Sequence, residues 1–417
     1  MKKSLIILLS SLILAPGLAL AKPVHMPLEL TFEESLSWNK NLLESTNKDA
    51  TEQIPETKES IRAGERMNKW LKMINAARPA DQQIRLTNSA NRGNGIPIDR
   101  PSKYGPSTII ERLNKLKSEL PEALKKVMIG NAEITAELPV STEEFIKWAK
   151  VVSRLYQTAV RWTGMSRWLP WLAQNKKRDV RGFFYLKKVE DLDAQLKVFG
   201  TLTTEVQSNY KNWLSGVCQN SGKKPKACLR ELETAIEAKL VFDYKKNYWD
   251  KAQAAWNSFF EISKPRRDVT WTSEQPGVMN VTFKDPKNER IADWLKINIE
   301  EEFKRPLLDW RLQFNFVEGG MGTAFLKFEA GVTPHVTAGN IIVMDANSPI
   351  EEWSVRWTIR HEYGHILRIP DCYVEFYDTE VKLMVNYQLD VTDLMCSRSG
   401  DMNDRLYHEL KKNYFKN

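Results

Sequence analysis

Long apolar runs are nearly absent from this 417-residue chain; the exception is its start, "MKKSLIILLSSLILAPGLALA". No later run approaches the roughly 20 apolar residues of a membrane-crossing helix, so the rest of the chain is expected to hold no stable span. Internal repeats and low-complexity segments are missing too, which sets aside repeat architectures. Basic residues are never dense. Lys176-Lys177-Arg178 and Lys223-Lys224-Pro225-Lys226 are short and far apart, and read as solvated surface, not a nucleic-acid patch. Gly319-Gly320-Met321-Gly322 lacks the following lysine and Ser/Thr of a phosphate loop and reads as a turn. Cysteines number only four and histidines only five. No cysteine follows Ala21, so lipid attachment there is not indicated.

What is present suits an exported globular protein. Apolar residues make up 42%, too many for a disordered chain, and the length allows two or three domains with real cores. Lys2 and Lys3, an apolar stretch, and Ala19-Leu20-Ala21 form a signal peptide over 1–21, implying a periplasmic or secreted product. Its removal takes Lys2 and Lys3 away and lowers the net charge from +8 to +6. Four cysteines in an exported chain suggest two disulfides, with three possible pairings. Proximity favours Cys218–Cys228, around the polar turn "CQNSGKKPKAC", and Cys372–Cys396.

Residues 22–106 read as an N-terminal segment with a short helix around Ile61, Met67, Trp70, Leu71 and Ile74. A Gly/Pro/Asn/Ser-rich linker or exposed loop, Ser89–Ser107, follows it. Residues 107–265 read as an all-helical region. Helix starts are signalled at Ser107, with a loose capping box toward Glu111, and at Ser141-Thr142-Glu143-Glu144. Its tryptophans, such as Trp148, Trp162 and Trp213, fall at helical spacing and read as core. "WTGMSRWLPW", broken at Gly164 and Pro170, reads instead as a candidate exposed binding surface.

From 269 to 417 the texture becomes α+β. "GVMNVTF" reads as a strand, "NERIADWLKINIEEEF" as a helix, "DWRLQFNFV" and "TAFLKFEAG" as alternating strands, and "NIIVMDA" as a buried strand. "VTPHVTAG" reads as a short edge strand. Ser348-Pro349-Ile350-Glu351 then signals a helix running to about Arg368, stopped by Pro370. On that helix His361 and His365 lie one turn apart, where two imidazoles can hold one metal. Glu362 adjoins the first ligand and is placed to take a proton from metal-activated water, whose pKa zinc lowers to about 7. In a chain with five histidines, a chance HExxH has odds on the order of one in a hundred. Asp371, six residues past His365, supplies a third oxygen ligand if the chain turns back at Pro370. Met395 lies in a turn-forming stretch beyond it.

HExxH, an Asp six residues on and a later methionine turn resemble the metzincin zinc endopeptidases, above all the snapalysin-type bacterial proteases. The likeness covers about 269–417. It implies a twisted mixed sheet with an active-site helix, and one Zn2+ per chain on His361, His365 and Asp371. It also implies Glu362 as general base, Met395 beneath the metal, and an edge strand near Val332–Thr337 that pairs with a protein or peptide substrate. A Cys372–Cys396 bond would then tie the ligand loop to the turn; Cys372 as a thiolate ligand is the rival reading. One departure is Arg368, where the family's helix ends in glycine. A left-handed residue there costs a non-glycine about 1 kcal/mol, so Arg368 bears that cost or the helix ends differently. In the second case a later glutamate, Glu375 or Glu380, would replace Asp371, with "EVKLMVNYQL" as its helix. His408 is more naturally packing than site. The functional expectation is an exported zinc endopeptidase. The alternative is a helical binding protein carrying a degenerate zincin domain. The helical half is left as a propeptide, a substrate-positioning domain or a partner-binding module.

Overall fold

The computed structural model describes residues 54–88, 95–320 and 322–416. The leader at 1–21, the stretch up to Gln53, the centre of the linker and Met321 lie outside the described residues. The molecule is a mixed α+β fold with helices crowding its first half.

The apolar pattern around Trp70 forms α1 (Pro55–Ala76), a full 22 residues and not a short helix. Pro55 opens it, where a missing N–H is harmless. The linker stretch contributes β1 (Ser102–Tyr104) instead of a loop. The helices α2 (Pro106–Glu119), α3 (Glu122–Met128) and α4 (Thr142–Ser166) pack on α1 around Met67, Trp70, Leu113 and Phe145. Ser141 caps α4 as expected, accepting from the Glu144 N–H at 3.2 Å. Ser107 does not cap α2; the helix begins at Pro106, and the Thr108 hydroxyl closes back on the Gly105 N–H at 2.9 Å. α4 runs through Gly164, and α5 (Leu169–Gln174) follows after Trp168. Trp162 and Trp168 are buried in this core, so that stretch is packing and not an exposed surface.

A second helical core, around Phe183, Leu214, Leu232 and Tyr244, joins α6 (Arg181–Leu186), α7 (Leu192–Lys197), α8 (Thr204–Gln219), α9 (Pro225–Glu237) and α10 (Val241–Asn257). Cys218 and Cys228 form a disulfide across the α8–α9 turn, with Cα atoms 5.7 Å apart.

The third core belongs to the α+β part. β2 (Val269–Thr272) and β3 (Val278–Lys284) lead into α11 (Glu289–Leu295), which continues as a π turn through Glu300. Then come β4 (Lys304–Arg305), β5 (Trp310–Val317), β6 (Phe325–Glu329), β7 (His335–Thr337) and β8 (Ile341–Asp345). Alternation in β5 buries Trp310, Leu312 and Phe314; Phe316 is only half-buried. β5 is parallel to β3, the Phe283–Ala324 bridge brings β3 to β6, and β6 is parallel to β8. β7 pairs antiparallel with β8 at the outer edge. The helix α12 (Trp353–Ile366) packs against β8 and β7. The next stretch holds no helix over "EVKLMVNYQL": β9 (Tyr373–Asp378) and β10 (Leu383–Gln388) are a hairpin, and β1 pairs with β10 as its third strand. Finally α13 (Asp404–Tyr414) and β11 (Phe415–Lys416) close the chain, β11 parallel to β2. Among the described residues no helix is long and apolar enough to cross a membrane.

Candidate metal centre

α12 does not start where its sequence signal points. Ser348 turns its hydroxyl to Asp345 Oδ2 at 3.1 Å, and helical structure begins at Trp353 with Glu352 as N-cap. The buried Glu352 carboxylate looks outward and accepts from the N–H groups of Leu86 and Thr87 at 2.8 and 3.1 Å. It also accepts from the Thr87 hydroxyl at 2.9 Å. That hydroxyl in turn accepts from the Ser354 N–H at 3.1 Å, capping the helix from far away in sequence.

The other end closes locally. The Arg368 N–H donates to the His365 carbonyl at 2.9 Å and the Ile369 N–H to the Gly364 carbonyl at 3.0 Å. Arg368 has φ +64°, so it takes the left-handed position where glycine is usual. The helix therefore ends as expected, Pro370 turns the chain, and Asp371 comes back beneath the two histidines.

His361, His365 and Asp371 converge, their ligand atoms all within 4.8 Å of one another and all three side chains buried. His361 Nδ1 lies 2.9 Å from the Leu394 carbonyl, and His365 Nδ1 lies 2.9 Å from the Ile369 carbonyl. A carbonyl only accepts, so each neutral ring carries its hydrogen on Nδ1. Both Nε2 lone pairs then face Asp371 Oδ1, at 3.2 and 3.0 Å. Neither Asp371 oxygen receives a hydrogen bond from this arrangement, although both are buried. Three lone pairs aimed at one point repel unless a cation sits between them. Ligands at about 2.0–2.1 Å from a tetrahedral ion stand roughly 3.3 Å apart, close to the spacing here. Two nitrogens and one oxygen are also a donor set that zinc accepts. Burial by itself would raise the Asp371 carboxyl, but the imidazoles beside it, His365 foremost, outweigh it and hold the group well below the usual range, so Asp371 is an anionic candidate ligand.

Glu362 follows His361 on α12; it is 3% exposed and forms no hydrogen bond or ion pair among the described residues. The ring of Tyr373 lies near-parallel to His361, centroids 6.2 Å apart, and burial pushes its phenol well above the ordinary value, so it stays neutral.

The expected methionine lies under the helix. A Cβ on Gly364 would overlap Met395 Sδ, so this glycine is what lets the turn approach. A glycine inside a helix costs about 1 kcal/mol relative to alanine, and in "HEYGH" that cost was the available signal for a close contact. Cys372 and Cys396 form a disulfide, with Cα atoms 4.3 Å apart, and the Cys372 N–H donates to the Met395 carbonyl at 3.2 Å. This removes Cys372 as a thiolate ligand. Sequence reasoning passed over Asp393. Fully buried, it accepts from the Met395 N–H at 2.8 Å, from Asn403 at 3.0 Å and from Arg405 at 2.6 Å. Through this carboxylate the turn is fastened to α13, and the Leu394 carbonyl is set against His361.

The substitute ligands lie elsewhere. Glu375, on β9, is buried against Arg161 of α4 at 2.5 Å and the Tyr104 hydroxyl at 2.5 Å. Glu380 stands in the exposed β9–β10 turn, and His408 is exposed on α13 with its ring against Tyr407. Beside the centre opens a cavity of about 670 Å³. His361 and Tyr373 form part of its wall, facing Tyr156 and Arg161 of α4, and Val332–Pro334 lead along it into β7.

No family model matches the chain, and no curated protein or solved structure matches it either.

Proposed function

We propose that this chain is an exported, metzincin-like zinc endopeptidase. The observation that carries the reading is the convergence of both Nε2 atoms on Asp371, with both Nδ1 hydrogens already committed to backbone carbonyls. The element order from β3 to α12, with the antiparallel edge strand β7 between β6 and β8, supports the metzincin likeness. The signal sequence and the two disulfides support export.

His361, His365 and Asp371 would hold one zinc ion. When bound, zinc polarises a peptide carbonyl and lowers the pKa of water to about 7. Glu362 takes a proton from the attacking water on its unpaired carboxylate and returns it to the leaving amine nitrogen. The Leu394 and Ile369 carbonyls fix tautomer and ring orientation of the histidines. β7 is the last strand of its sheet among the described residues, with His335 and Val336 buried; on this reading an extended peptide pairs along it.

The test is digestion of an unfolded protein by the chain lacking its leader, in zinc, beside Glu362→Gln. The expected result is cleavage by the parent and a loss of at least about a hundredfold in the variant. Zinc bound at one per chain without cleavage by either would favour the helical binding protein with a degenerate site.

A further inference from the structure

The cavity beside His361 is basic, and its cations come from separate parts of the chain. Lys103 lies on β1, Arg112 on α2, Arg154 on α4, and Arg398 three residues past Met395. Arg161 also lines the wall, but Glu375 neutralises it. Lys103, Arg112, Arg154 and Arg398 have no carboxylate partner among the described residues. Among the described residues Arg112 reaches the Thr158 hydroxyl, at 3.4 Å, one helical turn from Arg154, which places the two guanidinium-bearing residues on one patch.

The acid on this wall is Asp345, and its carboxylate is already used. It accepts from the Tyr156 hydroxyl at 2.8 Å, the Gly331 and Asn347 N–H groups at 3.0 Å each, and the Ser348 hydroxyl at 3.1 Å. Tyr104, Tyr156 and Tyr373 also line this wall. The Tyr104 and Tyr156 hydroxyls already donate to Glu375 and Asp345. An exposed arginine alone is ordinary surface. Four uncompensated cations around a concave wall that ends at a metal-ligand histidine focus positive potential on one spot.

We propose that this cavity receives an acidic side chain of the substrate peptide, gripped by Arg154, Arg398 and Arg112 with Lys103. The proposal rests on the endopeptidase reading and names its substrate class. Guanidinium forks suit a carboxylate because two parallel N–H donors meet its two oxygens. The helical half then shares in substrate selection, since three of the four cations lie on β1, α2 and α4.

The test uses binding, so that it does not depend on turnover. Three fluorescent peptides, identical but for a central Glu, Gln or Lys, are titrated against the zinc-loaded Glu362→Gln chain by polarisation, at low and high salt. The Glu peptide is expected to bind about tenfold tighter than the Gln peptide, the Lys peptide most weakly, with the gap shrinking in salt. Arg154→Gln combined with Arg398→Gln should bring Glu and Gln within about twofold. The exposed Arg112→Gln should narrow the gap part-way and serves if the double variant fails to fold. Equal binding of the three peptides, no binding of any, or an unchanged gap in folded variants overturns the proposal. Cleavage of unfolded protein without a Glu preference would sink this inference and leave the endopeptidase reading. A Glu preference without cleavage by the parent would do the reverse.

Discussion

At its C-terminal end α12 is closed by its own neighbours, Arg368 and Ile369 bonding back to His365 and Gly364 within one turn. At its N-terminal end it is capped by Thr87, a residue 267 positions away, with Glu352 clamped on the same stretch. The same division runs through the ligand set. His365 is oriented by Ile369, 4 residues on, and His361 by Leu394, 33 residues on. The chemistry sits on short-range geometry, and the rigidity that presents it is borrowed from distant segments. Thr87, Tyr104 and Arg161 all precede the α+β part, so the first half of the chain is built into the support of the candidate site.

If the distant anchors hold the site in place, the largest effect comes from Asp393, the carboxylate joining the methionine turn to α13. Asp393→Ala leaves Arg405 without its partner and the Met395 N–H without its acceptor. Removing one member of such a pair costs about 3 kcal/mol. Urea unfolding should register that loss, and equilibrium zinc binding should weaken with it, because the Leu394 carbonyl loses its position against His361. A cost below about 1 kcal/mol would mean that the disulfide alone holds the turn.

Glu352 tests the other end. In Glu352→Gln an amide NH2 replaces an oxygen that faced N–H and O–H donors, leaving donors opposed at a cost of about 1–2 kcal/mol. The effect carries a sign in pH. Burial, partly offset by the Leu86 and Thr87 donors, raises the folded carboxyl above its ordinary 4.5. The folded chain thus keeps the proton longer than the unfolded one, and this group's contribution is fully present below the unfolded value and lost as pH rises through the folded value. Glutamine has no proton to lose. The parent's advantage over the variant should therefore be greatest in acid and shrink toward neutral pH, as read from urea midpoints of both proteins across that range. A gap that widens with pH would mean that the clamp prefers the charged carboxylate.

These anchors explain what was legible in the sequence. His361, Glu362, His365, Asp371 and Met395 announce themselves because helical periodicity and a proline turn fix their mutual placement over a short span. The two cysteine pairings follow the same short-range logic. β3, β5 and β8 showed because each buries an alternating or wholly apolar face, whereas β6 showed by alternation alone and the two-residue β4 carried no signal. Three readings failed where a distant partner decided. Ser348 looked like an N-cap, but Asp345 took its hydroxyl and Thr87 supplied the cap. Residues 102–104 looked like linker, yet β10 needed a third strand. "EVKLMVNYQL" carries helix formers, yet strand pairing with β9 and β1 overrode local propensity. Asp393 carried no signal, since a turn aspartate is unremarkable until Arg405 folds onto it.

The smallest expected effect sits at the locally closed end and has the opposite sign. Arg368 occupies a left-handed position at φ +64° that an L side chain adopts at a cost of about 1 kcal/mol. Glycine would relieve that strain, at the expense of a more flexible unfolded chain. It would also remove the guanidinium from its close packing on Gly339, itself left-handed at φ +66°. The closing hydrogen bonds are made by backbone and remain in either case. Arg368→Gly is therefore expected to shift stability by no more than about 0.5 kcal/mol toward the folded state, with zinc affinity unchanged within about twofold. A loss above about 1 kcal/mol in urea unfolding would show that the Arg368 side chain, packed over Gly339, is a distant anchor of its own. Both ends of α12 would then depend on long-range contacts, and the contrast between them would fail.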